Sequence, residues 1–280
     1  MLAAAIVSSI AGVTATVRSA FRRLDARRRE SGAAYAALAA ARLLAERLEY
    51  RLEERLLAIE GRRGTLGPAH RRHRANSVDS NREVWTGWDW SAEGEEWTES
   101  PAWKAALRDE VLLARMPRGD VLEIGPGAGR WSETLRQHSE RLVLVDVTKR
   151  TLELCRERLG PSDDVRYVLG GGSDLPGVAD ASIDGVWSFD VFVHIAPVDV
   201  AAYLSEIRRV LRPGGIAVIH HSGRRDRRGW RSPMSGPLFA ALARERGLLV
   251  EEQFDSWSGG RYDVHPFDDV ITVLRAAADG

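Results

Sequence analysis

Residues 121–135, VLEIGPGAGRWSETL, decide the fold. A short apolar run, typical of a buried strand, leads directly into glycines at positions 125, 127 and 129, and a helix-forming stretch follows. Glycine lets the backbone approach a ligand closely at the carboxyl end of a strand, beside a helix N-terminus. A nicotinamide fingerprint would place its third glycine at position 130, where this chain has Arg130. The loop therefore predicts a nucleoside cofactor of another kind.

The region after Ala102 alternates predicted helices with short apolar strands. This alternation indicates an α/β fold in which helices cover both faces of a mostly parallel sheet. The predicted helices are residues 102–115, 130–138, 149–159, 198–211 and 235–246, and the predicted strands are residues 121–124, 142–145, 165–169, 185–188, 216–220, 248–254 and 269–275.

The second predicted strand ends in Asp146, 21 residues after Gly125. A carboxylate at this place can accept both ribose hydroxyls of a nucleoside cofactor, and one βαβ unit takes about this length of chain. An isolated aspartate after a strand is more often a helix N-cap. Because a glycine loop accompanies it, we interpret Asp146 as a ribose ligand.

Three stretches resemble the class I methyltransferases that use S-adenosylmethionine. Glu123 with Gly125, Gly127 and Gly129 is similar to the first motif of that family. Residues 185–195, GVWSFDVFVHI, are similar to its fourth motif, and residues 203–215, YLSEIRRVLRPGG, resemble the helix and turn before its fifth strand. The resemblance spans residues 102–275 and implies a Rossmann-like sheet of seven strands, the last antiparallel and inserted near the edge.

The resemblance also implies the cofactor, S-adenosylmethionine, and its contacts. Glu123 would lie near the amino group of the methionine tail, with the glycine backbone under the ribose and methionine. The end of the fourth strand, at Ser188 and Phe189, would face the cofactor near the reacting methyl group.

At the adenine the sequence departs from the family pattern. The family has an acidic residue a few positions before a Leu-Pro pair, and by that register the position belongs to Gly171. The adenine contact then falls to the backbone of Gly172 and Ser173, or to Asp174 from a shifted loop.

Histidines near the ends of the fourth and fifth strands are candidates for catalysis. Transfer from a sulfonium is mainly a matter of positioning, and a hydroxyl acceptor also benefits from a general base. We expect His194 to be that base, with Asp190 orienting it or binding substrate. His220 and His221 point to opposite faces of a strand, and His221 is assigned to the substrate site. Since no residue set has metal-ligand spacing, we expect a metal-independent reaction.

Residues 82–101 form a segment rich in tryptophan, ahead of the predicted methyltransferase domain at 102–280. Five of the nine tryptophans fall within positions 85–103. Such rings could pack the segment against the domain, close a lid over the cofactor, or form a platform for a sugar or other flat ligand. The predicted substrate contacts are Trp85, Trp88, His221, Trp230, Arg231 and Tyr262.

Aromatic and polar loop residues suit a polyhydroxylated acceptor. We therefore favour methylation of a hydroxyl on a glycan or glycosylated metabolite. One alternative is a non-sugar small molecule methylated at oxygen or nitrogen. Another is a non-catalytic module that binds S-adenosylmethionine and recruits a partner through the N-terminal helix. Nucleic acid is not expected as substrate, because the catalytic region is acidic and has no base-flipping motif.

The front of the chain is basic and helical. Residues 1–74 contain 15 Arg and 7 Asp or Glu, a net charge of +8, whereas the rest contains 25 basic and 33 acidic residues, a net charge of −8. We expect a helical extension at 1–60 and a basic linker at 61–81. The amphipathic helix 33–60 either packs on the body or forms a coiled-coil homodimer. We expect a cytoplasmic protein, with peripheral contact to the inner membrane face as an alternative.

Overall fold

The computed structural model describes residues 76–223, 231–264 and 268–278. The predicted helical extension at 1–60, most of the predicted linker at 61–81, and Trp230 lie outside the described residues. Within the described ranges, no helix is both long and apolar enough to cross a membrane.

Seven strands form one mixed sheet in the order β3-β2-β1-β4-β5-β9-β6, in which only β9 runs antiparallel to its neighbours. A two-stranded hairpin, β7-β8, lies beside it. The strands are β1 Asp120–Ile124, β2 Arg141–Asp146, β3 Val165–Leu169, β4 Ile183–Ser188, β5 Leu211–Ser222, β6 Leu248–Phe254, β7 Ser256–Trp257, β8 Tyr262–Asp263 and β9 Asp269–Ala276.

Helices cover both faces of this sheet. They are α1 Val78–Thr86, α2 Pro101–Ala106, α3 Ser132–His138, α4 Lys149–Leu159, α5 Pro197–Val210 and α6 Gly236–Glu245. Helix α2 continues as a π-helix over Leu107–Leu113. One apolar core lies under α5 and α6, and the other lies under α2, α3 and α4. All five residues of β1 are buried, as expected for the central strand of a sheet covered on both sides.

The predicted architecture is confirmed: a Rossmann-like, mostly parallel sheet of seven strands, with the last strand inserted antiparallel near the edge. The differences are local: helix α1 and the β7-β8 hairpin were not predicted, and some elements begin at other residues than expected. Helix α1 begins at Val78, inside residues 61–81, and β5 begins at Leu211, where the sequence predicted the last helical residue. Leu211 pairs with Ile183 ahead of a bulge, so the backbone is already extended there.

The chain order of the strands places the cleft. β1 lies between β2 and β4, so the chain leaves β1 for one side and returns to the other. In open α/β sheets, ligands bind outside the carboxyl ends of the strands at such a switch point. The loops after β1, β2 and β4 therefore meet at the ligand-binding edge.

We expect Leu122→Ala to lower the free energy of unfolding by about 2–5 kcal/mol, because it opens a cavity in the centre of the sheet. Leu122 has no exposed surface, whereas Leu249 on β6 is 55% exposed. The control variant Leu249→Ala should change the free energy by less than about 0.5 kcal/mol. Urea denaturation followed by circular dichroism measures both, and equal losses in the two variants would contradict this core assignment.

Candidate active site

The loop after β1 adopts a backbone that only glycine takes easily. Gly125, Gly127 and Gly129 have φ angles of 70°, 58° and 89°. A Cβ atom at Gly125 would lie 2.5 Å from Cγ2 of Val191, and one at Gly127 would lie 3.1 Å from Cζ3 of Trp90. The glycines therefore provide both the turn and the room for neighbouring groups.

A cavity of about 700 Å³ opens beside this loop, within the usual range for small-molecule sites. Its walls come from the loop, from the ends of β2, β4 and β5, and from the tryptophan-rich segment. The predicted site residues that line it are Gly125, Gly127, Asp146, Gly172, Phe189, Asp190, His194, Trp85, Trp88 and Arg231.

Asp146 lies at the end of β2, where the ribose ligand was predicted. Its Oδ1 accepts a hydrogen bond of 2.9 Å from the backbone N–H of Thr148, and burial raises its pKa to about 6. The N-cap of α4 is Thr148, whose side chain accepts from Thr151 N–H. The N-cap explanation for Asp146 therefore does not apply.

Glu123 lies behind the glycine loop and is not among the described residues that line the cavity. Burial raises its pKa to about 7, although Ser132 Oγ–H donates a hydrogen bond of 2.5 Å to its Oε2. Gly129 likewise faces away from the cavity, and a Cβ there would lie 3.1 Å from Cδ of Arg158.

Of the three adenine candidates, only Gly172 lines the cavity. Asp174 instead accepts a hydrogen bond of 2.5 Å from the N–H of Gly171 and so closes its own loop. At the end of β4, Ser188 is buried and donates to the carbonyl of Ile124 at 2.8 Å, away from the cavity, whereas Phe189 lines it.

The two adjacent histidines of β5 point to opposite faces. The prediction that His221 contacts the substrate is wrong, because His221 faces the core and His220 faces the cavity. His221 stacks on Phe239 at 3.8 Å and bonds Thr272 Oγ1 at 2.7 Å, in the core under α6. His220 lines the cavity and stacks on Phe189 at 4.3 Å. Strand alternation predicted that one histidine would face the cleft, but not which one.

A chain of ionisable side chains crosses the floor of the cavity. Arg130 pairs with Asp190; His220 lies 3.2 Å from Asp190 Oδ1 and 3.3 Å from Asp269 Oδ2; and Arg231 lies 2.5 Å from Asp269 Oδ2. Burial alone would raise the pKa of Asp190, but Arg130 and His220 outweigh it and hold that pKa below its usual range. Burial likewise opposes the charge on His220, but the two carboxylates raise its pKa above the usual value.

His194, the predicted base, lies on another wall of the cavity. Its ring meets Trp85 edge-on at 5.1 Å between centroids, and its carbonyl accepts a hydrogen bond of 2.8 Å from Asn81 Nδ2. Asp190, predicted to orient it or to bind substrate, instead takes Arg130 and His220 as its polar partners.

Four tryptophans pack ring to ring at the mouth of the cavity. Their centroids are 5.4–6.1 Å apart, and Trp88 Nε1–H donates to Glu96 at 2.8 Å. We call this set the tryptophan cluster; its members are Trp85, Trp88, Trp90 and Trp97. Trp88 and Trp97 are 40% and 38% exposed, which is high for such large apolar rings.

Helix α1 and the tryptophan-rich segment contact three loops of the cleft and helix α4. A Cβ on Gly172 would lie 2.4 Å from Val78, and Arg158 Nη1 lies 3.3 Å from the carbonyl of Glu93. Asn81 also contacts His194, and Trp90 also contacts Gly127, so helix α1 and the tryptophan-rich segment both border the cavity.

Two predicted substrate contacts, His221 and Tyr262, do not line the cavity, and three floor residues were not assigned to the site. Tyr262 lies on β8 beside Trp257, and Trp230 is outside the described residues. Sequence reasoning did not assign Arg130 or Asp269 to the site, and of the two adjacent histidines it assigned His221 rather than His220. Arg130 was noted only as a departure from a nicotinamide motif; its place directly after the loop was the available signal.

The residues present fit a nucleoside cofactor with a flexible tail. A glycine cradle lies at one end of the cavity, and Asp146 presents there a carboxylate of the kind that accepts from ribose hydroxyls. Within the described ranges, no cluster of three His, Cys, Asp or Glu has an arrangement that could hold a metal ion.

Comparison with known proteins gives the same fold. A chain from the complex of the Haloferax volcanii Trm112 methyltransferase activator with a methyltransferase superposes with a TM-score of 0.56 at 23% identity, over 71% of this chain and 98% of that one. A SAM-dependent methyltransferase of Leishmania major superposes with a TM-score of 0.58 at 15% identity, over 70% and 82%. At these identities the likeness shows the fold alone.

The sequence relatives are methyltransferases by name, and each matches only part of the chain. An S-adenosylmethionine-dependent methyltransferase of Mycolicibacterium smegmatis is 35% identical over 116 residues, which is 40% of this chain and 43% of that protein. An O-methyltransferase of Mycobacterium bovis is 31% identical over 151 residues, or 50% and 64%. The alignments thus span less than two thirds of these relatives.

The family described as "Methyltransferase domain" matches residues 122–219, from β1 through most of β5. This stretch contains the glycine loop, Asp146 and His194. Residues 122–219 therefore match a methyltransferase domain family, and the chain resembles the class I methyltransferases, whose cofactor is S-adenosylmethionine.

Proposed function

We propose that the protein transfers a methyl group from S-adenosylmethionine to a hydroxyl of a glycan or glycosylated metabolite. The observation that carries this proposal is the tryptophan cluster, which borders the same cavity as the glycine loop and Asp146. The naming of several partial relatives as O-methyltransferases supports oxygen as the methylated atom.

The chemistry of the cavity mouth suits a sugar. The C–H face of a sugar ring packs on an indole, while its hydroxyls donate to carboxylates. Glu96 and Glu99 line the cavity beside the exposed rings of Trp88 and Trp97. Large amphipathic aromatic rings supply contact area at low entropic cost, and a few polar groups fix the orientation of the ligand.

In this proposal residues 82–101 act as a lid over the cofactor. When bound, S-adenosylmethionine supplies an electrophilic methyl group on a sulfonium. The chain must then hold the acceptor oxygen in line, exclude water and accept the hydroxyl proton. His194, on the cavity wall beside Trp85, is proposed to accept that proton.

The ribose role of Asp146 predicts a pH dependence of cofactor binding. The ionised carboxylate accepts from ribose hydroxyls, and with a pKa of about 6 it gains a proton as the pH falls. We expect the affinity for S-adenosylhomocysteine to be level above pH 7 and to fall by up to about tenfold per pH unit below 6. Isothermal titration calorimetry between pH 5 and 8 measures this.

The variant Asp146→Asn should bind S-adenosylhomocysteine about 10–100-fold more weakly at pH 8 and lose most of the pH dependence. The exposed Asp163 precedes β3, at the opposite end of the parallel strands from Asp146, and Asp163→Asn is a matched control. Identical titrations for wild type and Asp146→Asn would contradict the ribose assignment.

The acceptor class is tested with labelled S-adenosylmethionine and three sets of probes: methyl glycosides, simple phenols and primary amines. We expect methylated product from glycosides, and an acceptor KM about tenfold higher in Trp97→Ala because a stacking surface is lost. The variant Trp97→Phe should retain most of the affinity.

Each other outcome of that screen favours a named alternative. Product from phenols or amines alone would replace the glycan with a non-sugar small molecule. Binding of S-adenosylhomocysteine without product from any probe would favour a non-catalytic module.

The proposed base is tested by His194→Gln. We expect kcat to fall by about 10²–10⁴-fold, with the affinity for S-adenosylhomocysteine unchanged. The control His138→Gln alters a half-buried histidine that bonds the carbonyl of Met116, outside the cavity, and should retain turnover. Full activity of His194→Gln together with loss of activity in His220→Gln would move the role to His220.

A further inference from the structure

The cavity floor beside the glycine loop holds a buried arginine with unused hydrogen-bonding capacity. Arg130 is 6% exposed and lines the cavity, and its guanidinium lies 5.3 Å from the ring centroid of Trp131 and 5.7 Å from that of Phe189. Nη2 pairs with Asp190. Nη1 is fully buried without a hydrogen-bond partner among the described residues.

A second donor at the same place is also unused. Trp131 follows Arg130, lines the cavity and is 2% exposed, and its Nε1–H has no acceptor among the described residues. A buried donor without an acceptor is costly, and the cost is greatest for a charged group. Two such donors on adjacent residues of a cavity wall point to a ligand that brings oxygen atoms.

Asp190 presents the opposite charge next to these donors. It follows the last residues of β4 with a φ of 61°, a left-handed backbone that is uncommon outside glycine and is often found at functional sites. Its carboxylate lines the cavity and is held in the charged form by Arg130 and His220. The floor thus offers a cation and an anion side by side.

Glu123 is less suited than Asp190 to neutralise an ammonium group here. It lies behind the loop, takes its hydrogen bond from Ser132, and is not among the described residues that line the cavity. Because burial raises its pKa to about 7, a large fraction is uncharged at neutral pH. The resemblance to the family had assigned the amino group to this residue.

We propose that the Arg130–Asp190 pair binds the zwitterionic methionine tail of the cofactor, with Arg130 at the carboxylate and Asp190 at the ammonium. Trp131 Nε1–H adds a donor to the carboxylate. This assignment rests on the proposed use of S-adenosylmethionine. It gives Asp190 a cofactor-binding role instead of the catalytic role that the sequence suggested.

Three adenosine ligands distinguish binding of the amine from binding of the carboxylate of the methionine tail. S-adenosylhomocysteine carries the amine and the carboxylate, decarboxylated S-adenosylmethionine carries only the amine, and 5′-deoxy-5′-methylthioadenosine carries neither. Titration calorimetry gives a Kd for each ligand with wild type, Arg130→Met and Asp190→Asn. The control Arg231→Met removes the other buried arginine of the same floor.

We expect Arg130→Met to raise the Kd of S-adenosylhomocysteine about 10–100-fold. The Kd of each of the other two ligands should stay within about threefold of the wild-type value. Asp190→Asn should raise the Kd of both amine-bearing ligands by a similar factor and leave the Kd of methylthioadenosine unchanged. Arg231→Met should leave the ratio of Kd values for S-adenosylhomocysteine and methylthioadenosine unchanged.

Methylthioadenosine also reports whether a variant has folded. Removing one charge of a buried pair can unfold a protein. If Arg130→Met does not bind methylthioadenosine, the neutral double variant Arg130→Met/Asp190→Asn tests the assignment in its place. It should bind S-adenosylhomocysteine and methylthioadenosine within about threefold of each other, because the tail has lost both partners.

Two outcomes would overturn the assignment. Arg130→Met or the double variant could retain the wild-type preference for S-adenosylhomocysteine over methylthioadenosine. Alternatively, Glu123→Gln, and not Asp190→Asn, could remove the preference for the amine. Wild type that binds none of the three ligands would instead contradict the proposed function, so the two failures are distinguishable.

Discussion

The left-handed backbone after β1 is the constraint on which the cleft depends. Three glycines within five residues turn the chain away from the central strand without side chains, so Val191 and Trp90 can approach the loop. Burial of β1 on both faces fixes where that turn occurs. Because the glycines have no Cβ atoms, the loop after β4 and the tryptophan-rich segment can both pack against this turn.

Local sequence was sufficient for most of the elements and for the place of Asp146 at the carboxyl end of β2. Apolar runs of four to six residues identify buried strands, and Asp146 follows from the strand that precedes it. The fold followed because a parallel sheet has few arrangements compatible with its connections. The resemblance, not the pattern, supplied the position of the antiparallel strand.

The polar floor could not be predicted in the same way, because its pairs join residues far apart in the chain. Arg130 meets Asp190 at a separation of 60 residues, and Asp269 meets His220 across the antiparallel pair β5–β9. A one-residue uncertainty in the start of β5 exchanges the faces of His220 and His221. The structure shows which histidine faces the cavity: the imidazole of His221 packs flat against Phe239 in the core, so His220 is the one on the cavity side.

The tryptophan cluster also has an optical consequence. Indole rings held at centroid distances of 5.4–6.1 Å and at fixed mutual tilts couple their electronic transitions. The protein thereby contains its own chromophore at the mouth of its cavity, with Trp85 edge-on to the imidazole of His194. Near-ultraviolet circular dichroism of the native chain can follow the geometry of the tryptophan cluster without any added label.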